Sequence, residues 1–341
     1  MKKHNRMIAL LLMLVLVIGT LTACAGRQTP AADKPAAETA NPTEQPEQKT
    51  YNVTYISKDM AQPYAIWLAN SLQQIAAEDY PDFNITILDQ KQDPSIGATL
   101  IEQAINQKVD GIIIQKAGGY NTDDLFKSVA DAGIPLVTVN IPVDDGVSSN
   151  VACSNYELGE TVGRYAKDQI PQNAKVLVLR GNPGDLEEER WQGFKESLFD
   201  QRPDIEILDT QIAYYDKAKA IAISDDWLQR FPEIDAVISM NDGQALGFIE
   251  SCKANGRDLS TIQIYGVDGL ADGCLAIEAG EMTASVVQNA TEQARHGLRI
   301  MHELLTGETE GPVDFIVPAE LITAENVQQW IEFHKENGMI E

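Results

Sequence analysis

The strongest constraint on the fold is an alternation of short apolar strands with helical patterns, which runs through most of the chain. Helical patterns with apolar residues three and four positions apart separate the predicted strands. The strands form two series, at 53–57, 84–88, 111–114 and 136–139, and at 176–179, 205–208, 236–240 and 262–267. Such an alternation forms parallel βαβ units, so the sequence predicts an α/β fold with doubly wound parallel sheets.

The two series are copies of one arrangement, separated by about 120 residues. The sequence ILD at 87–89 returns at 207–209, and VDGI at 109–112 corresponds to IDAV at 234–237. A repeat of this length indicates two similar lobes, because the repeats of solenoid proteins are much shorter.

The C-terminal part does not begin a third copy. Strands are predicted at 283–287 and 312–317, and helices at 291–306 and 324–336. We interpret these pieces as passing back between the lobes, with crossings near 152–155, 288–290 and 317–321. Three crossings would make a hinge that bends easily in one direction. The predicted lobes comprise residues 51–153 plus 289–318, and residues 154–288 plus 319–341.

The first 24 residues have the features of a bacterial lipoprotein signal. Two lysines and an arginine precede an unbroken apolar run at 7–18, which is short for a membrane-spanning helix. The sequence LTAC at 21–24 resembles the lipobox, in which Cys24 would be lipidated and become the new N-terminus. The alternative is an ordinary signal peptide with a chance cysteine.

Residues 25–50 contain prolines among alanine, threonine, glutamate and glutamine, and they include no large apolar side chain. Such a segment cannot bury a core, so we predict a disordered tether between the lipid and the folded part. The expected protein is therefore extracytoplasmic and lipid-anchored to the cell membrane.

The charge and the cysteines narrow the function further. A formal net charge of −25 argues against binding to nucleic acid or to anionic lipid through a basic surface. Cys153, Cys252 and Cys274 lie in or beside apolar stretches, and we interpret them as buried, inert thiols. A Cys252–Cys274 disulfide bridge is the alternative.

Polar side chains follow several of the predicted strands. Gln115 and Asn140 end strands of the first series, and Asn241 and Asp268 end strands of the second. Ligands of open α/β sheets bind outside the carboxyl ends of the strands, so these side chains predict a polar cleft for a hydroxyl-rich ligand. For Asn241 the alternative is local, that it only turns the chain. Asp242, which follows it, we interpret as the cap of the next helix.

Several motifs resemble one family. These are AVISMND at 236–242, ALG at 245–247, YGVDG at 265–269, RWQGF at 190–194 and YYD at 214–216. From Tyr51 to its end the chain resembles the sugar-binding proteins of bacterial ABC importers, in the ribose- and glucose/galactose-binding branch of the type I periplasmic-binding fold. The resemblance implies a monomer that binds a monosaccharide or related polyol between its lobes and delivers it to an ABC transporter permease.

The resemblance also implies roles for individual residues. Asn241 and Asp268 would bind sugar hydroxyls, and Arg190 would donate to ring or hydroxyl oxygens. Tyr215 and Tyr64 would cover the two faces of the sugar. Further polar contacts would come from Gln62, Gln115, Asn140 and Gln288. The alternatives are that both tyrosines are surface-facing loop residues and that Arg190 is a solvated ion-pair residue.

Departures from the family pattern bear on the ligand. Asn140 precedes Ile141 where ribose binders carry an acidic–basic pair, and Ala65 stands where they carry a second aromatic residue. The extra room favours a hexose or a cyclitol over a pentose. Residues 166–175 are short and lack the alternating acidic ligands of a calcium loop, so no metal is predicted. No cofactor is predicted either.

Other function classes fit the sequence less well. His296, His302 and His334 lie in predicted helices, and no nucleophile–base or metal-ligand spacing is visible, so no enzyme is predicted. A regulator of the lactose-repressor type would need a helix-turn-helix headpiece in place of the signal. A sensor component that presents the ligand to a chemoreceptor, to a membrane kinase or in quorum signalling is the alternative to import.

Overall fold

The computed structural model describes residues 49–118 and 122–340. The predicted signal segment, the lipidation site Cys24 and most of the predicted tether lie outside these residues. Within them, no helix is both long enough and apolar enough to cross a membrane.

The first part of the folded chain builds a sheet and the helices that cover it. Its elements are β1 (Tyr51–Ser57), α1 (Pro63–Asp79), β2 (Phe83–Asp89), α2 (Pro94–Gln107), β3 (Gly111–Ile114), α3 (Thr122–Asp131), β4 (Leu136–Val139) and β5 (Ser149–Ala152).

The middle of the chain builds a second sheet with the same alternation. Its elements are α4 (Asn155–Gln169), β6 (Lys175–Arg180), α5 (Asp185–Phe194), β7 (Glu206–Ile212), α6 (Lys217–Arg230), β8 (Ala236–Ser239), α7 (Asp242–Ala254), β9 (Gln263–Asp268), α8 (Ala271–Glu278) and β10 (Ala284–Val287). Helix α5 continues as one π-helical turn over Lys195–Phe199, and a short 3₁₀ turn covers Leu259–Thr261.

The last part of the chain contributes to both sheets. Its elements are α9 (Ala290–Thr306), β11 (Asp314–Ile316), β12 (Glu320–Thr323) and α10 (Val327–Glu336). The first sheet has the order β11-β5-β4-β3-β1-β2, and all of its pairs are parallel. The second has the order β12-β10-β9-β8-β6-β7, in which β12 is antiparallel. The predicted fold class is therefore confirmed: two α/β lobes with mostly parallel sheets.

The chain passes from one sheet to the other at three places. These lie between β5 and α4, between β10 and α9, and between β11 and β12. Helix α9 packs on α1 and on the first sheet, whereas α4 packs on α5 and on the second sheet. Because the strands that carry the predicted site are parallel, their carboxyl ends lie along one edge of each sheet.

Local sequence signals explain where several helices begin and end. Asp93 Oδ1 accepts the Ser95 N–H at 2.8 Å, and Pro94 occupies the first position of α2. Asn289 caps α9 in the same way, and Gly307 ends that helix with a φ of +78°. The central strands β3, β4 and β8 are buried on both faces, which is why β3 is a continuous apolar run and β4 and β8 each contain a single small polar residue.

Helix α4 is the main element that sequence periodicity does not predict. Its apolar positions Leu158, Val162 and Ala166 have helical spacing, but Gly159 and Gly163 interrupt the pattern. A glycine in a helix costs about 1 kcal/mol relative to alanine, which weakens the local signal. Residues 166–169 belong to this helix and Lys175 begins β6, so only residues 170–174 of the segment interpreted as short at 166–175 lie outside regular structure. The shorter elements β5, α8 and β12 were not predicted either.

The three cysteines of the described region are free and buried. The alternative of a Cys252–Cys274 bridge is therefore wrong. Burial raises the pKa of the Cys252 thiol to about 12, which keeps it protonated and unreactive at neutral pH.

Candidate functional site

Four of the predicted site residues form one chain of hydrogen bonds across the two lobes. Gln115 Nε2 donates to Asn140 Oδ1 at 3.0 Å, and Asn140 Nδ2 donates to Gln288 Oε1 at 2.8 Å. Gln288 Nε2 then donates to Asp268 Oδ1 at 2.9 Å. Asn140 and Gln288 each use one donor and one acceptor within this chain, and Gln115 Oε1 accepts the Lys58 backbone N–H at 3.4 Å. The orientation of each amide is therefore fixed, and its remaining capacity can be offered to a ligand.

The backbone is unusual at three of the predicted site residues. Asn140, Tyr215 and Asp268 have φ angles of 69°, 59° and 125°. Residues other than glycine seldom adopt positive φ, and such strain persists where the surrounding structure holds it. Asn140 directly follows β4 and Asp268 is the last residue of β9, so the positive φ turns the chain at the strand end.

Asp268 is the carboxylate of the site and is 5% exposed. Burial raises its pKa to about 6, and the positive charges of Arg190 and Lys58 oppose this rise. Hydrogen bonds from Gln288 and Asn241 also favour the ionised form. The result is a carboxyl group that can change its charge close to neutral pH.

Asn241 and Asp242 have roles that differ from the local alternative. Asn241 Oδ1 accepts the Gln244 N–H at 2.9 Å, so Asn241 is the cap of α7. The interpretation of Asp242 as the helix cap is wrong: its fully buried carboxylate accepts the Leu270 N–H at 2.8 Å and the Ser285 hydroxyl at 2.6 Å. Asp242 therefore holds the loop that follows Asp268 through its bond to the Leu270 N–H.

Two glycines make room for this buried carboxylate. A Cβ atom at Gly266 would lie 2.2 Å from Asp242 Oδ1, and one at Gly273 would lie 2.6 Å from its Oδ2. Contacts this short do not occur in folded proteins, so no other residue fits at either position without displacing Asp242. Packing against Asp242 therefore explains Gly266, the first glycine of the YGVDG motif at 265–269.

Arg190 is buried, at 4% exposure, and is held by neutral acceptors. Its Nη1 donates to the Met240 carbonyl oxygen at 2.6 Å and its Nη2 donates to Asn155 Oδ1 at 2.7 Å. Its Nε has no partner among the described residues. These contacts exclude the alternative of a solvated ion-pair residue.

A close helix crossing places Arg190 beside Asn155. A Cβ atom at Gly159 of α4 would lie 2.0 Å from the Arg190 carbonyl oxygen, and one at Gly193 of α5 would lie 2.2 Å from the Tyr156 carbonyl oxygen. Glycine at both positions lets the two helix backbones touch. The start of α4, where Asn155 lies, therefore comes within reach of the guanidinium on α5.

The two predicted aromatic contacts occupy different surroundings. The Tyr215 ring is half-buried and packs on Gly181, where a Cβ atom would lie 2.1 Å from the ring. Arg190 Cζ lies 5.8 Å from the centre of this ring. Tyr64 is 8% exposed, and its hydroxyl has no partner among the described residues. The burial of both rings excludes the alternative of surface-facing loop residues.

Gln62 is the predicted site residue that the structure does not link to the others. It is half-buried at the start of α1, and within the described residues its side chain forms no hydrogen bond.

Two further residues join the site without having been predicted. Lys58 directly follows β1, and the rule that strand ends bind ligands could have found it. Asn155 could not have been found, because α4 was not predicted.

A groove separate from the candidate site lies on the first lobe. Its volume is about 890 Å³, and Val109, Leu136, Ser149 and Leu304 are among the residues that line it. Leu136 and Ser149 begin their strands, so the groove lies at the opposite end of the first sheet from Gln115 and Asn140. Within the described residues, no group of histidine, cysteine and acidic side chains is arranged to hold a metal ion.

The raised pKa of Asp268 predicts a pH-dependent stability that Asp268→Asn removes. Because the folded protein holds this proton more tightly than the unfolded chain, the stabilising contribution is complete below about pH 4 and is lost as the pH rises through about 6. The free energy of urea unfolding, measured from pH 4 to pH 7, should therefore fall relative to that of the variant. A difference that stays constant over this range would contradict the prediction.

Comparison with known proteins gives one consistent result. Residues 53–309 match the family model of the periplasmic binding protein domain. The chain is 28% identical over 251 residues to the ribose import binding protein RbsB of Bacillus subtilis (strain 168), a match that covers 73% of this chain and 80% of that protein. It is 30% identical over 245 residues to the xylitol-binding protein of Mycolicibacterium smegmatis, covering 70% and 68% of the two chains.

Solved structures show the same fold. An ABC transporter solute binding protein from Bacillus halodurans with bound myo-inositol superposes with a TM-score of 0.77 at 23% identity, over 84% of this chain and 99% of that one. A solute binding protein from Actinobacillus succinogenes with bound D-allose gives a TM-score of 0.76 at 20% identity, over 82% and 100% of the two chains.

Proposed function

The chain belongs to the periplasmic binding protein family, and from this membership we propose that it captures a monosaccharide or related polyol and delivers it to an ABC import permease. Like the relatives it matches, it is a binding protein and not an enzyme. Within this proposal a hexose or a cyclitol is favoured over a pentose. The predicted lipid anchor at Cys24, the extracytoplasmic location and the monomeric state are parts of the same proposal.

The observation that carries the proposal is the chain of hydrogen bonds from Gln115 to Asp268. Planar amides and a carboxylate, held in fixed orientations at the strand ends of both lobes, suit the alternating donors and acceptors of adjacent sugar hydroxyls. The half-buried ring of Tyr215 offers an apolar face to the C–H groups of a sugar ring. Positive φ angles at Asn140 and Asp268 support this assignment, because strain of this kind concentrates at ligand sites.

The mechanism that we propose is closure about the hinge. The lobes would be residues 51–153 plus 289–318 and residues 154–288 plus 319–341, with Gln288 at one crossing between them. A ligand held by one lobe gains the contacts of the other only when the lobes close. It therefore shifts the open–closed equilibrium by the free energy of these additional contacts, and the permease would recognise the closed shape.

A ligand panel tests this function directly. Hexoses, pentoses, pentitols and inositols would be added to the purified full-length protein, and its melting temperature would be measured. We expect at least one to raise the melting temperature, because a ligand at 100 times its Kd stabilises the folded state by about 2.7 kcal/mol. Asn241→Ala and Asp268→Ala should abolish the shift, whereas Asp226→Ala, at an exposed ion pair on α6, should keep it. If no sugar or polyol raises the melting temperature, the proposal fails.

Gly181→Ala should weaken binding of the same ligand about tenfold, since about 1.4 kcal/mol is lost when an aromatic contact is displaced. The added methyl group would overlap the Tyr215 ring and push it into the space proposed for the sugar. Isothermal titration calorimetry would measure the affinity. Gly118→Ala is the matched control, because a Cβ atom there meets none of the described residues within 4 Å. Equal losses in both variants would show that the packing of Tyr215 on Gly181 is unimportant.

A further inference from the structure

The site contains two cations without a carboxylate partner. Neither Lys58 nor Arg190 forms an ion pair within 4.0 Å among the described residues, and Arg190 bonds a carbonyl and an amide instead. Elsewhere in the described chain, cations pair readily, as Arg202 does with Asp204 and Lys253 with Glu281. The whole sequence has 51 acidic and 26 basic residues, so unpaired cations inside a cleft need an explanation.

The two cations face the same aromatic ring from different lobes. Lys58 follows β1 of the first sheet, and its Nζ lies 5.9 Å from the centre of the Tyr215 ring. Arg190 comes from the second lobe, and its Cζ lies 5.8 Å from that centre. A sugar that packs on Tyr215 would therefore lie within reach of both positive charges.

The nearby carboxylates are engaged with other groups. Asp59 Oδ1 accepts the Ala61 N–H at 3.0 Å, and its Oδ2 accepts from Gln92 Nε2 at 2.8 Å. Asp268 accepts from amides, and Asp242 is bonded behind the site. The Lys58 ammonium is thus left to be neutralised by something else.

Other charges act on Lys58, although no described carboxylate lies within 4.0 Å of its ammonium group. Burial lowers the pKa of Lys58; the charges of Asp59 and Asp268 oppose this shift, while those of Arg190 and Lys116 reinforce it. Lys116 is itself half-buried; burial lowers its pKa, and the charge of Asp185 of the second lobe opposes this shift. A desolvated cation gains most from an anion that arrives with the ligand.

Resting on the proposed function, we propose that the ligand is a sugar acid, a monosaccharide or cyclitol derivative that carries a carboxylate, and that Lys58 selects it. The hydroxyls of the ligand bind Asp268 and the amides, its ring packs on Tyr215, and its carboxylate pairs with the Lys58 ammonium. A neutral sugar satisfies the first two groups of contacts and leaves Lys58 without an anion.

Matched ligand pairs test this inference by isothermal titration calorimetry on the full-length protein. Each pair is a hexose and its uronate or aldonate, such as glucose with glucuronate and gluconate, or galactose with galacturonate. An acid should bind at least about tenfold tighter than its neutral parent, which is the effect of one charge-assisted hydrogen bond. Raised salt should reduce this preference because the pair is partly exposed.

Variants of Lys58 assign the preference to its charge. Lys58→Met should remove the advantage of the acid and change the affinity for the neutral parent less than about threefold, whereas Lys58→Arg should retain the advantage. Lys127→Met removes one exposed charge from the same lobe and should behave as the wild type. Circular dichroism melting would show that each variant folds.

The results separate this inference from the proposed function. If neutral sugars bind as tightly as their acids, or if Lys58→Met keeps the preference, the sugar-acid inference is wrong and sugar capture stands. If only pentoses or pentitols bind, the sugar-acid inference is wrong and sugar capture stands; if no member of the pairs and no sugar or polyol of the panel binds, both are wrong.

Discussion

Arg190→Met is expected to weaken ligand binding about a hundredfold, because hydrogen bonds to a charged group contribute about 1.5–3 kcal/mol each. The guanidinium is buried beside Tyr215 and Asp268, and its Nε has no partner among the described residues. Methionine fills a similar volume but can donate no hydrogen bond. Calorimetric titration with the ligand found in the panel would measure the loss.

Two further variants make this prediction specific. Arg190→Lys keeps the charge but loses the planar fork that joins Met240 to Asn155, so an intermediate loss of about tenfold is expected. Arg164→Met removes an arginine from the exposed face of α4 and should leave the affinity unchanged. Unchanged affinity in Arg190→Met would show that the arginine only supports the fold.

Gly159→Ala is expected to destabilise the protein by about 3 kcal/mol, at the upper end of the usual cost of overpacking a core. The new Cβ atom would lie 2.0 Å from the Arg190 carbonyl oxygen, which is backbone and cannot rotate away. Helix propensity alone predicts the opposite, a gain of about 1 kcal/mol from replacing glycine with alanine. The sign of the change in unfolding free energy therefore decides between local propensity and the contact of α4 with α5.

Urea unfolding would measure this difference, and Gly118→Ala serves as the control because its Cβ atom would contact no residue in the part of the chain that the structure describes. A destabilised Gly159→Ala protein that still folds should also bind its ligand more weakly, since the shift of α5 moves Arg190 away from Asn155. Stabilisation by Gly159→Ala would mean that the two helices are not held as closely as the structure has them.

Much of the site was predictable because parallel sheets place strand ends together. Gln115, Asn140 and Asp268 were identified as polar residues at the ends of apolar strands, and the structure joins them through Gln288. Lys58 satisfies the same rule and was overlooked. That no described carboxylate pairs with Lys58 could not be read from the sequence, because the neighbouring Asp59 accepts a hydrogen bond from Gln92 instead.

The sequence by itself determined the order of strands and helices and the two-lobe α/β class, because hydrophobic periodicity is a local property. Tertiary structure alone decided what Asp242 does, because its partners Leu270 and Ser285 are 28 and 43 residues away along the chain. It also decided helix α4, whose glycines weaken the local helical signal and are explained only by the neighbouring helix α5. Contacts between distant segments carry no periodic signature, so only the folded chain reveals them.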